Sequence, residues 1–146
     1  MRILQDLNYK LYENKVELNS LHKTIEYIKD KVAEYFSKAY NYSKNELKKY
    51  LSRIPIYVAR LPYILTDKFI GKVLGAYDLA KKEIKIDSST LYNLPIFVKT
   101  LAEEYVHALQ HYIGKLKPKD PREYITNYLK DENEKEAKEV ANKVLK

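Results

Sequence analysis

The sequence contains no cysteine. That absence removes disulfides, thiolate metal sites and cysteine nucleophiles together, so any metal site must be built from His, Asp and Glu. Histidine is scarce as well: His22, His107 and His111 are the three in 146 residues. Methionine occurs once, and glutamine only as Gln5 and Gln110, in a chain rich in Lys, Glu, Ile and Tyr. Few thermolabile residues beside many charges fit a thermophile-like composition. No apolar run approaches the ~20 residues of a membrane span. The opening segment, Met1 to Lys10, is too polar and acidic for a secretory leader. The expectation is a soluble, cytoplasmic protein with no membrane partner.

What is present is enough for one packed domain. Hydrophobic residues make up 45 % of the chain, so a core is feasible at this length. The net charge is +7, which raises the question of nucleic acid. The surplus is spread thinly: +4 over residues 1–53, +1 over 54–114 and +2 over 115–146. A nucleic-acid footprint is a dense stripe, and no helix-turn-helix, zinc-finger or aromatic RNA-binding signature accompanies the charge. A nucleic-acid partner is therefore not expected, although a basic accessory protein remains a third-ranked reading.

Residues 2–40 read as helix. Leu4, Leu7, Leu11, Leu18, Leu21, Ile25, Ile28, Val32, Tyr35 and Ala39 recur at threes and fours, with Asn14 in the remaining slot. Such a heptad seam serves either of two purposes. It packs on the chain's own core, as the flanking Val16, Tyr27 and Phe36 suggest, or it forms a homodimer through residues 4–39. Ser43 and Glu46 make a capping box for a helix from Lys44 to Arg53, which Pro55 stops. Ile56 to Ala59 reads as a strand. Tyr63 to Lys72 is ambiguous. Residues 73–87 form a hairpin whose second strand alternates Ile84 and Ile86 with Glu83, Lys85 and Asp87, and Gly75 marks a bulge or a close approach. A helix from Leu94 to Ile113 carries Phe97, Leu101, Tyr105, Ala108, Leu109 and Tyr112 on its apolar stripe, with Gly114 as its stop. Asp120 and Pro121 open another helix, and Asn133 to Leu145 a last one.

The chemistry concentrates in Thr100-Leu-Ala-Glu103-Glu104-Tyr-Val-His107-Ala-Leu-Gln110-His111. Glu103, His107 and His111 are four apart and share a helix face. Neighbouring members can hold one ion together. All three cannot, because Glu103 and His111 are ~12 Å apart along the axis. The plain alternative is an ordinary i, i+4 surface pair between Glu103 and His107. His111 reads as a helix-end histidine, His22 as a surface residue, and Glu132, Glu136 and Glu139 as a solvated acidic face. Glu104 and His107 also spell the Glu-x-x-His of di-iron bundles, but that fold needs two copies and the chain has one.

Between residues 54 and 145 the order of elements resembles the gluzincin zinc metallopeptidases, in particular their smallest members, the minigluzincins. Their helix carries His-Glu-x-x-His, often followed by x-x-Gln. Here the text is Glu103-Glu104-Tyr-Val-His107-Ala-Leu-Gln110. A downstream Glu-x-x-Ala is matched by Glu134-Lys-Glu-Ala137, and the preceding Gly-x-Tyr strand by Gly75-Ala-Tyr77. The resemblance implies that His107 is a metal ligand, Glu134 a further ligand and Glu104 the general base. Glu103 stands where the first histidine belongs. A carboxylate remains a competent ligand, but two of them cancel the charge of a divalent ion and weaken its effect on a bound water. The change implies a weakened hydrolase, a site tuned to a harder ion such as manganese, or a site without metal.

The resulting expectation is an α+β fold: a zincin-like small antiparallel sheet packed on an active-site helix, with C-terminal helices. Residues 1–53 are expected to be a helical arm and 54–146 a metallopeptidase-type domain. The function expected is hydrolysis of a peptide or unfolded protein substrate. Glu103, His107 and Glu134 would hold a divalent metal, zinc first, and Glu104 would activate water. The competing expectation is a catalytically degenerate interaction module that dimerises through its first helix.

Overall fold

The computed structural model describes residues 2–3, 18–65, 70–116 and 132–145. In chain order its elements are strand β1 (Arg2–Ile3), helices α1 (Leu18–Tyr40) and α2 (Lys44–Ser52), and strands β2 (Ile56–Ala59), β3 (Tyr63–Leu65), β4 (Ile70–Lys72), β5 (Gly75–Asp78) and β6 (Glu83–Asp87). A 3-10 turn (Ser88–Tyr92), helix α3 (Leu94–Tyr112) and helix α4 (Glu132–Leu145) follow. The class is α+β, as expected.

The local signals account for the boundaries. The Ser43 hydroxyl accepts a hydrogen bond from the Glu46 amide at 3.4 Å and starts α2. Asn93 does the same for α3, its side-chain oxygen accepting from the Ile96 amide at 3.2 Å. Gly114, at φ 87°, ends α3 in the left-handed region that favours glycine. The β5–β6 hairpin pairs Gly75 with Ile86 and Asp78 with Glu83. The Asp78 carboxylate holds its turn by accepting from the Ala80 and Lys81 amides. Tyr63 to Lys72 contains a second hairpin, in which β3 pairs with β4.

Two expectations change. The main sheet, ordered β1-β2-β6-β5, is mixed and not antiparallel. Its centre is a parallel pair, Ile56 beside Ile84 and Val58 beside Ile86. The chain runs through the β3–β4 hairpin and β5 before reaching β6, and that long crossover lets β6 return in the direction of β2. Alternation along β6 reveals its wet and dry faces but carries no information about its neighbour's direction. Second, Arg2 and Ile3 form a strand rather than the start of a helix, pairing antiparallel with Val58 and Tyr57. Leu4, Leu7, Leu11 and Asn14 of the heptad seam, and the helix start at Asp120 and Pro121, lie outside the described residues.

Most of the described part of the seam packs inward, with Tyr35 half-buried and Ala39 exposed at its end. Leu21, Ile25, Ile28 and Val32 are buried with Ala33 and Phe36 in the same cluster as Ile84, Ile86, Tyr105, Leu109 and Val140. Helices α1 and α2 are thus walls of the core that surrounds α3. Helix α3 itself is more than amphipathic. From Thr100 to Gln110 every residue except Glu103 is buried, which is the signature of a central helix. Such a helix can carry polar side chains only if neighbouring elements satisfy them.

A buried carboxylate and histidine cluster

Helix α3 carries Glu104, His107 and Gln110 into the interior, and α4 meets it with Glu134. Small residues on α4, Ala137 and Ala141, are fully buried and allow close approach of its neighbours. The consequence is a direct contact between side chains 27 positions apart in sequence: His107 Nε2 lies 3.0 Å from Glu134 Oε1. The other ring nitrogen, Nδ1, is 2.8 Å from Gln110 Oε1. The Gln110 amide nitrogen donates in turn to the Asn133 carbonyl at 3.0 Å and to Glu136 Oε1 at 2.9 Å. Glu136 also accepts from Lys115, at 3.2 Å, and from the Tyr40 hydroxyl.

Glu104 sits in the same pocket with 7 % of its surface exposed. Its Oε2 is buried and has no hydrogen-bond partner among the described residues. Strand β5 closes this side. A Cβ built on Gly75 would fall 2.6 Å from Thr100 Cγ2 and 3.2 Å from Glu104 Cγ, so the close approach read from the sequence is the correct alternative for that glycine. Among the described residues no strand pairs with the outer edge of β5.

The electrostatics have one cause. Burial, together with the charges of Glu134 and Glu103, pushes the Glu104 carboxyl up to about 7 against the pull of His107. Burial alone would lower His107, but its hydrogen bond to Glu134 and the nearby Glu104 outweigh that and raise it to about 9. Glu103 is half-buried, and burial raises it too, with Glu134 adding and the Lys99, His107 and Lys138 charges opposing. Three carboxylates around one imidazole make a pocket short of positive charge.

Of the expected ligands, His107 and Glu134 are brought together and Glu103 is not. Among the described residues no three His, Asp or Glu side chains converge tightly enough to hold a metal ion. The pair that does form is a hydrogen-bonded imidazole and carboxylate, both of them donor types that a divalent cation takes. Two ligands at 2.0–2.1 Å on a tetrahedral ion stand about 3.3 Å apart, close to the 3.0 Å between Nε2 and Oε1. Gln110 on the remote ring nitrogen is the outer partner that metal-binding histidines carry. The unpaired Glu104 oxygen adds a buried acceptor without a donor.

Other sequence readings are revised. Glu136 is not on a solvated face: it is half-buried and takes the Gln110, Lys115 and Tyr40 hydrogen bonds. Its position beside the buried Ala137 was the available signal, whereas nothing local tied Tyr40 or Lys115 to it. His111 stands in the last turn of α3, as the helix-end histidine read from the sequence. Its Nδ1 meets the Tyr77 hydroxyl at 2.8 Å and fastens β5 to α3, and burial lowers its affinity for a proton. Compared with known protein families, characterised proteins and solved structures, the chain matches none.

Proposed function

We propose that this chain is a zincin-like, metal-dependent hydrolase of peptide bonds with a variant Glu-Glu-x-x-His site. The observation that carries the reading is the arrival of Glu134, chosen from a distant segment, at 3.0 Å from His107 Nε2 while Gln110 occupies Nδ1. His107 and Glu134 would hold the ion, and Glu103, which is not gathered with them among the described residues, would have to turn in as the third donor. A divalent cation there supplies Lewis acidity, which makes a nearby water a better nucleophile and polarises a carbonyl. The chain's own residues do the rest. Glu104, buried and raised to about 7, accepts a proton from the attacking water and passes it to the leaving amine. The edge of β5, unpaired among the described residues, runs beside Glu104 through Gly75, and an extended peptide can add to it as a further strand.

Calorimetric zinc titration of three forms tests the reading. The parent should bind zinc, His107→Ala should lose the ion, and Glu103→His should bind more tightly because it replaces one of the carboxylates with a neutral donor. Glu103→His should also gain proteolysis of an unfolded protein substrate. Equal zinc uptake by the parent and His107→Ala would show that the cluster is not the site. That no third donor is gathered among the described residues favours a second reading, a zincin-like interaction module without catalysis. In that case none of the three forms takes up zinc.

A further inference from the structure

We infer that Glu136 is a positioning residue for His107: through Gln110 it keeps a hydrogen on Nδ1 and leaves Nε2 to face Glu134. The inference rests on the metal-site reading only for its purpose; the proton placement stands on hydrogen-bond chemistry.

The orientation of a glutamine amide is usually ambiguous, and so is a histidine tautomer. Here the neighbours resolve both. The two partners on one side of the Gln110 amide are the Asn133 carbonyl, at 3.0 Å, and Glu136 Oε1, at 2.9 Å. A carbonyl and a carboxylate only accept, so the amide must present its NH2 to them. Its oxygen is thereby left toward His107 Nδ1, at 2.8 Å. That oxygen only accepts, so Nδ1 must carry the hydrogen. Nε2 is then the nitrogen turned toward Glu134. With the hydrogen held on Nδ1, the contact between Nε2 and Oε1 joins two acceptors unless a proton or a cation lies between them.

Glu136 can impose this order because it is held as an acceptor from outside. Lys115 Nζ donates to Tyr40 OH at 2.6 Å, so the phenol's own hydrogen is directed to Glu136 Oε2. Lys115 also reaches Oε1 at 3.2 Å. Three donors, Gln110, Lys115 and Tyr40, thus converge on one carboxylate. Tyr40 is the last residue of α1, so the first helix reaches the candidate site through this chain of hydrogen bonds. A simple staple between helices would need no such directionality.

The test uses the full chain with 15N-labelled histidine. The parent should show a His107 Nδ1–H resonance protected from solvent exchange, with and without zinc. Glu136→Leu should lose that protection and bind zinc about 10- to 100-fold more weakly. Glu136→Gln keeps an acceptor oxygen for Gln110 and should restore both properties. A protected Nδ1–H and parental zinc affinity in Glu136→Leu overturn the inference. So does failure of Glu136→Gln to restore the resonance. If the parent binds no zinc, the resonance still decides the role of Glu136, and only the metal reading falls.

Discussion

Replacing Glu104 by glutamine in metal-free protein should raise stability, and only above a certain pH. The parent carboxyl titrates at about 7 in the folded chain against an ordinary value of 4.5. A carboxyl raised in this way binds its proton more tightly folded than unfolded. Its contribution is therefore most favourable below pH 4.5, declines as pH rises, and is a full penalty above about 7. At 1.36 kcal/mol per tenfold, the penalty is about 3 kcal/mol. An amide of the same shape does not ionise and escapes it. The figure is a ceiling, because the Glu104 charge also helps hold His107 at about 9. His107 gives stability that is complete below 6.5 and lost as pH rises through 9, and removing Glu104 takes some of it away. Urea unfolding at pH 5, 6, 7 and 8 in the presence of a chelator measures the difference. Glu104→Gln should gain on the parent across that range, by up to about 3 kcal/mol at the top. A parent–variant gap that does not change with pH would mean that Glu104 is not a strained, buried acid.

Gly75→Ala places a methyl 2.6 Å from Thr100 Cγ2 and should cost about 1–3 kcal/mol in thermal or urea melts. Adding Thr100→Ser removes the opposing methyl and should recover most of that loss. Asn93→Ala removes the acceptor for the Ile96 amide at the start of α3 and should cost about 1 kcal/mol in the same assay. Deleting residues 1–40 removes Ile25, Ile28, Val32 and Phe36 from the core and should abolish cooperative unfolding, as followed by circular dichroism. A cooperative melt from the truncated chain would restore the view of that segment as a separable arm.

Signals that live within a few residues were readable, and signals that depend on a partner were not. The Ser43 cap, the four-residue turn after Asp78 and the stop at Gly114 are short-range chemistry, and their elements fall where the text puts them. The direction of β2 relative to β6 depends on a crossover, which no pattern within either strand encodes. The heptad seam is a case of one pattern with two uses. A stripe at threes and fours serves a dimer or a core equally well, and the packing of Ile25, Ile28 and Val32 against α3 selects the core for the described part. At the candidate site, His107 and Glu134 were legible only because a resemblance linked two distant segments. Glu136 was misread because Glu132, Glu134, Glu136 and Glu139 look alike as text, while packing exposes Glu132 and Glu139 and shelters the other two.

On the proposed reading Glu103 stands in place of an imidazole, and its charge has to be weighed against the charge already present. Glu104 and Glu134 face one another's fields with His107 as the cationic group beside them among the described residues, and Glu103 adds a third carboxylate, itself within reach of Lys99 and Lys138. Without an ion the pocket manages this excess with protons, which is why both Glu104 and His107 titrate above their ordinary values. An ion would have to displace those protons, so binding should strengthen as pH rises. Glu103 differs from Glu104 in being half-buried and within reach of the Lys99 and Lys138 charges, which temper its cost. On the proposed reading, a second carboxylate beside the ion cancels more of its charge and makes it a poorer activator of water. On that reading Glu103 weakens both zinc binding and water activation, while the Gln110-held imidazole and the buried Glu104 remain in place beside it.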